Sequence, residues 1–264
     1  MGTKTARRLH ALTSLRFIAA ASIIALHCGG HYGLPADMTR GGRLPLYLGV
    51  SFFFVLSGFI LTYVYPRLES RSAFRRFMWA RIARIWPCHV FALGLMALAF
   101  LANGTGLSVF WRNGRALSNL ASLGLVHSWV PVQSYYLAIN IPSWSVATEF
   151  GFYLAFPLLL WRLDRNWPVK LAGCLLVAVG LIVYCQRAGI PYEATKGPTT
   201  NGLLYMHPLA RLFEFCVGMV TALFWRRLGP RLQFGRLLGT TVETATLAAL
   251  ALNAYYWPEI AAWI

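Results

Sequence analysis

Apolar residues along this chain gather into runs of about 20, the length an α-helix needs to cross the hydrocarbon core of a bilayer. Such runs fall near residues 12 to 29, 45 to 65, 83 to 103, 143 to 161, 168 to 185, 205 to 225 and 240 to 257, and each predicts one crossing helix. The stretch from 117 to 141 is apolar enough to compete, but Asn119, His127, Ser128, Pro131, Gln133, Ser134 and Asn140 interrupt it. The first run, LRFIAAASIIALHC, carries Arg16 near its start and His27 near its end. At about 100° per residue their spacing returns to within about 20° of one helical face, and at about 1.5 Å of rise they stand roughly 16 Å apart. Polar groups at such positions are expensive in lipid and face protein or a wet cavity. Taken singly, each has a plainer account: Arg16 can snorkel to the headgroups, and His27 can hydrogen-bond a neighbouring helix.

Composition agrees with the runs. Of 264 residues, 58% are hydrophobic and only 12% charged, which is the profile of an integral membrane protein. The net charge of +16 would suggest a nucleic-acid partner in a soluble chain. Here the basic residues sit in short loops between apolar runs, so topology and anionic headgroups account for them and nucleic acid is discarded. The five cysteines, Cys28, Cys88, Cys174, Cys185 and Cys216, lack both CxxC and Cys/His ligand spacing, so neither a metal site nor a disulfide framework is expected. The basic start followed by an apolar run imitates a signal peptide, but Arg16 interrupts it and many runs follow, which favours a retained first helix.

Loop charge sets the sides. Lys4, Arg7 and Arg8 place the amino terminus in the cytoplasm, and two crossings return the loop holding Arg67, Arg71, Arg75, Arg76, Arg81 and Arg84 to that side. If 117 to 141 makes no net crossing, Arg162, Arg165, Lys170, Arg226, Arg227, Arg231 and Arg236 are cytoplasmic too. The expected fold is therefore an all-α polytopic transmembrane helix bundle, with about seven crossings plus one re-entrant or interfacial segment. Arg16, Arg81 and Arg84 then form an inner cationic group. His27, His127, Glu149, His207, Arg211 and Glu214 form an outer one.

Arg81 and Arg84 lie three apart on one helical face, and paired guanidiniums suit phosphate oxygens, although an ordinary cytoplasmic anchor explains them as well. In PSWSVATEFGFYLAFP, Ser143 is a plausible N-cap, Trp144 suits an interface anchor, and Glu149 with Tyr153 makes a polar stripe. An ion pair between Glu149 and Arg211 is the alternative use of that carboxylate. Arg211 and Glu214, also three apart, suffice as a mutual pair. Ser57 and Gly58 lack the context of a serine nucleophile and read better as small residues that let helices approach. A histidine near a carboxylate can act as a general base. With an arginine pair on the other side, the set suggests group transfer across the membrane from an activated donor inside to a hydroxyl outside.

The stretches LTSLRFIAAASIIALH, GVSFFFVLSGFIL, RRFMWARIARIWP and PSWSVATEFGFYLAFP, in this order, resemble the successive signatures of the membrane acyltransferase 3 family, bacterial enzymes that O-acylate surface saccharides and related acceptors. RLFEFCVGM, with Arg211 and Gly218, resembles a fifth signature. The resemblance implies one integral membrane acyltransferase domain over residues 1–264 and an acyl-CoA donor, usually acetyl-CoA, held by Arg81 and Arg84. It further implies His27 as catalytic base, Arg16 as a supporting cation in the donor channel and Glu149 as the acidic partner. Trp144, Tyr153 and Arg211 are expected to support the substrate. Thr13 stands in LTSLR where the family commonly has Asp. Family members usually have about ten membrane helices, so the domain is expected to be shortened at its carboxyl end.

These readings converge on a multi-pass protein of the bacterial inner membrane, amino terminus inside, that moves an acyl group from acyl-CoA to an extracytoplasmic saccharide. The rival expectations are a transporter or flippase for a glycan or small anion, and a non-catalytic shortened member of the family. No internal repeat of the kind found in transporters is visible.

Overall fold

The computed structural model describes residues 11–28, 46–112, 115–229, 240–241 and 244. Most of the run expected at 240 to 257 lies outside the described residues, as do Lys4, Arg7, Arg8, Arg231 and Arg236. The other six runs are helices: α1 (Ala11–Cys28), α2 (Leu48–Val64), α3 (Arg71–Ala102), α6 (Trp144–Leu160), α7 (Leu163–Arg187) and α8 (Pro208–Leu228). Between α3 and α6 the chain makes only short pieces, including α4 (Ala116–Leu123) and α5 (Gln133–Tyr136). At about 1.5 Å per residue the longest of these, α4, spans about 12 Å against about 30 Å of bilayer core, so no single one crosses it. Among the described residues there is no strand, only an isolated bridge between Val132 and Pro198. Helix α3, helix α7 and the stretch 201–228 are long and apolar enough to cross a membrane, with α1 and α2 shorter apolar helices.

Helix α3 corrects the expected boundary. It begins at Arg71 rather than near 83, so Arg71, Arg75, Arg76, Arg81 and Arg84 are helical and not loop residues. Ser70 caps it, its hydroxyl accepting from the Ala73 amide at 3.1 Å, and arginine is a good helix former once a start signal is present. At the other expected cap, Ser143 has helical dihedrals and caps nothing. Its hydroxyl instead donates to the Asn140 carbonyl.

Helices α2 and α8 pack backbone to backbone. A Cβ at Gly58 would run into the Phe215 carbonyl, and one at Gly218 into that of Val55, so each glycine admits the facing helix. The small-residue reading of Gly58 holds. Around this contact lies an aromatic core in which Phe152 stacks on Phe215 at 4.9 Å, Phe77 on Phe156 at 5.2 Å, and Phe54 meets Phe152 edge-on. The opposite faces carry Phe17, Leu158, Val169 and Leu176, all largely exposed, as helices facing lipid require. The C-terminal end of α6 is closed by Lys170, whose ammonium donates to the carbonyls of Leu158, Leu159 and Trp161.

Candidate functional site

Four helices bring their polar residues to one cavity of about 280 Å³. Arg16 comes from α1, Ser57 from α2, Arg81 and Arg84 from α3, and Glu149 and Tyr153 from α6. Helical periodicity explains each supply: the three- and four-residue spacings of Arg81/Arg84 and Glu149/Tyr153 put each pair on one face. The cations and the carboxylate expected at separate depths therefore share one wall. One cavity thus joins Arg16, Arg81 and Arg84 of the expected inner group to Glu149 of the expected outer one.

Glu149 is fixed by two hydroxyl donors on a single oxygen. Its Oε1 accepts from Ser57 Oγ at 2.8 Å and from Tyr153 Oη at 2.7 Å. Charge-assisted bonds of this length are the stronger kind, and they hold the carboxylate without an ion pair. Arg81 donates from Nη2 to Tyr65 Oη at 3.1 Å, and its guanidinium lies over the rings of Tyr65 and Phe77. Its Nε is buried with no hydrogen-bond partner. One turn on, Arg84 is exposed. A fork with unused donors beside an open guanidinium is suited to anionic oxygens.

Arg211 and Trp144 stand behind this wall. Arg211 pairs with Glu214 at 3.0 Å and donates to Ser51 Oγ at 2.8 Å, lying over Phe54 and Tyr205. The mutual pair is thus formed, and Arg211 is not the partner of Glu149. Trp144 is buried, packed on Tyr205 at 4.9 Å and against Phe54, so it is no interface anchor. Phe54 lines the cavity and separates both residues from it.

His27 is exposed and does not form the wall, and Glu149 is not among its hydrogen-bond partners in the described residues. Ile23, which does line the cavity, lies one turn before His27, so the imidazole follows the cavity along the same stripe of α1. His127 departs from expectation: it is fully buried instead of facing outward or lining a cavity. Ser143 spends its proton on Asn140, so its oxygen accepts from His127 Nε2 at 3.2 Å. Burial, and then the charge of neighbouring His89, push the His127 imidazole down to about 4 against an opposing backbone contact at Ala121. It is a structural tie, as is His89, whose Nε2 donates to the Ser122 carbonyl at 2.8 Å.

The residue missed in the sequence is Ser57. Its pairing with Glu149 joins positions far apart in the chain, and a small polar residue within an apolar run carries no signal that separates a carboxylate donor from a packing residue.

The family described as an acyltransferase domain matches residues 9–264. Acyltransferase MdmB of Streptomyces mycarofaciens is 33% identical over 233 residues, covering 83% of this chain and 58% of that protein. Nodulation protein 10 of Rhizobium leguminosarum bv. viciae is 30% identical, covering 85% and 62% respectively. The putative peptidoglycan O-acetyltransferase YrhL of Bacillus subtilis is 27% identical, covering 97% and 40%. The chain thus spans about three fifths of the length of the first two relatives and two fifths of the third. No solved structure matches it.

Proposed function

Because this chain belongs to the acyltransferase 3 family, we propose that it is a multi-pass O-acyltransferase of the bacterial inner membrane, taking an acetyl group from cytosolic acetyl-CoA to a hydroxyl of an extracytoplasmic glycan or glycolipid. The observation that carries the reading is the shared cavity, where Arg16, Arg81 and Arg84 face the fixed carboxylate of Glu149. The relative named as a putative peptidoglycan O-acetyltransferase favours acetyl as the group and a saccharide as acceptor.

The donor's thioester arm enters along the arginines, whose positive charge draws in the anionic donor and favours the polarised carbonyl. His27, next along the stripe, takes the proton of the acceptor hydroxyl as its oxygen attacks the thioester carbon. The new C–O bond forms, the C–S bond breaks, and the departing thiolate is protonated from the imidazolium. Glu149, immobilised by Ser57 and Tyr153, supplies a fixed negative charge among the arginines that line the donor's path. The test is transfer of labelled acetyl from acetyl-CoA to a panel of saccharides by the purified protein. Wild type is expected to label an acceptor and His27→Ala to lose at least about 100-fold, the usual size of a general-base contribution. Full transfer by His27→Ala removes the base assignment. No transfer by wild type, with vectorial movement of a glycan instead, favours a transporter.

A further inference from the structure

A second, larger cavity of about 880 Å³ lies beyond the first along the same two helices. Leu61 of α2 lines the smaller one and Thr62 the larger; on α6 the walls pass from Tyr153 to Pro157, one turn further on. Five arginines converge on it from three separate segments: Arg67 after α2, Arg162 and Arg165 at the junction of α6 and α7, and Arg226 and Arg227 at the end of α8. Only Glu69 and Asp164 oppose them among the lining residues. Loop charge for topology needs basic residues on one side of the membrane but does not require them to share a concavity.

Two further observations point to a ligand. Thr62 is buried in the cavity wall, and its hydroxyl is without a hydrogen-bond partner. Arg162 sits in the left-handed region at φ 51°, an uncommon conformation for an arginine, with its guanidinium over Trp161 at 4.9 Å. Trp161 itself is exposed at the cavity, offering a flat surface of the kind a purine stacks on.

We propose that this cavity is a phosphate-binding site that seats the phosphorylated nucleotide end of the coenzyme A donor. The proposal rests on the donor reading above. The guanidiniums bind the phosphate oxygens, Thr62 donates to one of them, and the succession of the two cavities lets the thioester arm run on past Arg81 and Arg84. The same phosphate chemistry could arrive as an anionic lipid headgroup, so the test separates the two.

The protein is placed in nanodiscs of phosphatidylcholine alone and titrated calorimetrically with adenosine 3′,5′-bisphosphate, then again with phosphatidylglycerol included. Saturable binding is expected in the neutral nanodiscs, weakened at least about ten-fold in R226Q/R227Q. A control, R75Q/R76Q, removes the same charge from exposed positions of α3 outside the cavity and is expected to bind within about two-fold of wild type. Arg165→Gln, whose side chain makes no hydrogen bond among the described residues, serves as a second variant in case the double one misfolds, and about three-fold weakening is expected. Equal weakening in R226Q/R227Q and R75Q/R76Q overturns the proposal. So does absence of nucleotide binding in neutral nanodiscs together with retention of phosphatidylglycerol, which assigns the site to lipid. Nucleotide binding that needs Arg226 and Arg227 upholds the cavity even if no acetyl transfer is found, whereas transfer with cavity-independent binding sinks the cavity alone.

Discussion

Removing one hydroxyl from the Glu149 carboxylate is the sharpest probe of the shared cavity. Tyr153→Phe deletes the 2.7 Å donor and nothing else of that ring, and Ser57→Ala deletes the 2.8 Å donor. A hydrogen bond to a charged acceptor contributes about 1.5–3 kcal/mol net. Both bonds end on the same oxygen, so losing either leaves the other to tighten, and each single variant is expected near the lower end, about 1.5 kcal/mol or roughly ten-fold in kcat/KM. Losing both leaves a half-buried carboxylate oxygen without either donor, and the double variant is expected to exceed the sum of the singles by about 1 kcal/mol. Labelled-acetyl transfer at subsaturating donor reads kcat/KM, while thermal unfolding of the same detergent-solubilised samples separates a lost carboxylate geometry from a lost fold. Wild-type transfer by Tyr153→Phe would mean that the phenol holds a carboxylate on which the reaction does not depend, and would remove Glu149 from the proposed machinery.

Other consequences follow from single contacts. Gly218→Leu places a side chain where the Val55 carbonyl stands, so α2 and α8 must separate; a loss of about 3 kcal/mol or more, seen as a markedly lower Tm, is expected, and an unchanged Tm would show that the helices do not pack as described. His127 has a pKa near 4 in the folded protein against about 6.5 unfolded, so the unfolded chain binds the proton first as pH falls. Stability is therefore unaffected above about pH 6.5 and is lost progressively from there to about pH 4, by about 2 kcal/mol at pH 5; unfolding at pH 7.5 and pH 5 in wild type and His127→Gln should show the pH sensitivity shrinking in the variant. Lys170→Met uncovers the carbonyls of Leu158, Leu159 and Trp161, and faster hydrogen exchange at the end of α6 is expected, with about 1 kcal/mol of lost stability.

Six helices were legible because apolar run length reports the bilayer directly, and the Arg16/His27, Arg81/Arg84 and Glu149/Tyr153 stripes because helical periodicity is local. What escaped depends on contacts between helices. Ser57 looks the same in sequence whether it packs or donates, and Trp144 looks like an interface residue until Tyr205 and Phe54 cover it. His127 lay in a stretch that periodicity could not place, and only the short helices around it show it buried. The start of α3 was misjudged because a run of arginines is polar yet helix-compatible, and hydropathy sees only the first property. Arg67, Arg162, Arg165, Arg226 and Arg227 passed as topological charge because that explanation is sufficient for each alone; their convergence is a tertiary fact.

Acetyl transfer is proposed to run through the cavity joining Arg16, Arg81, Arg84 and Glu149. It is tested most directly by measuring transfer from labelled acetyl-CoA to a saccharide acceptor by purified wild type and Arg84→Gln at equal, verified folding. Labelled acceptor is expected with wild type, and a fall in kcat/KM of at least about ten-fold with Arg84→Gln, the effect of losing one charge-assisted contact to the donor. Equal transfer by the two proteins would contradict it.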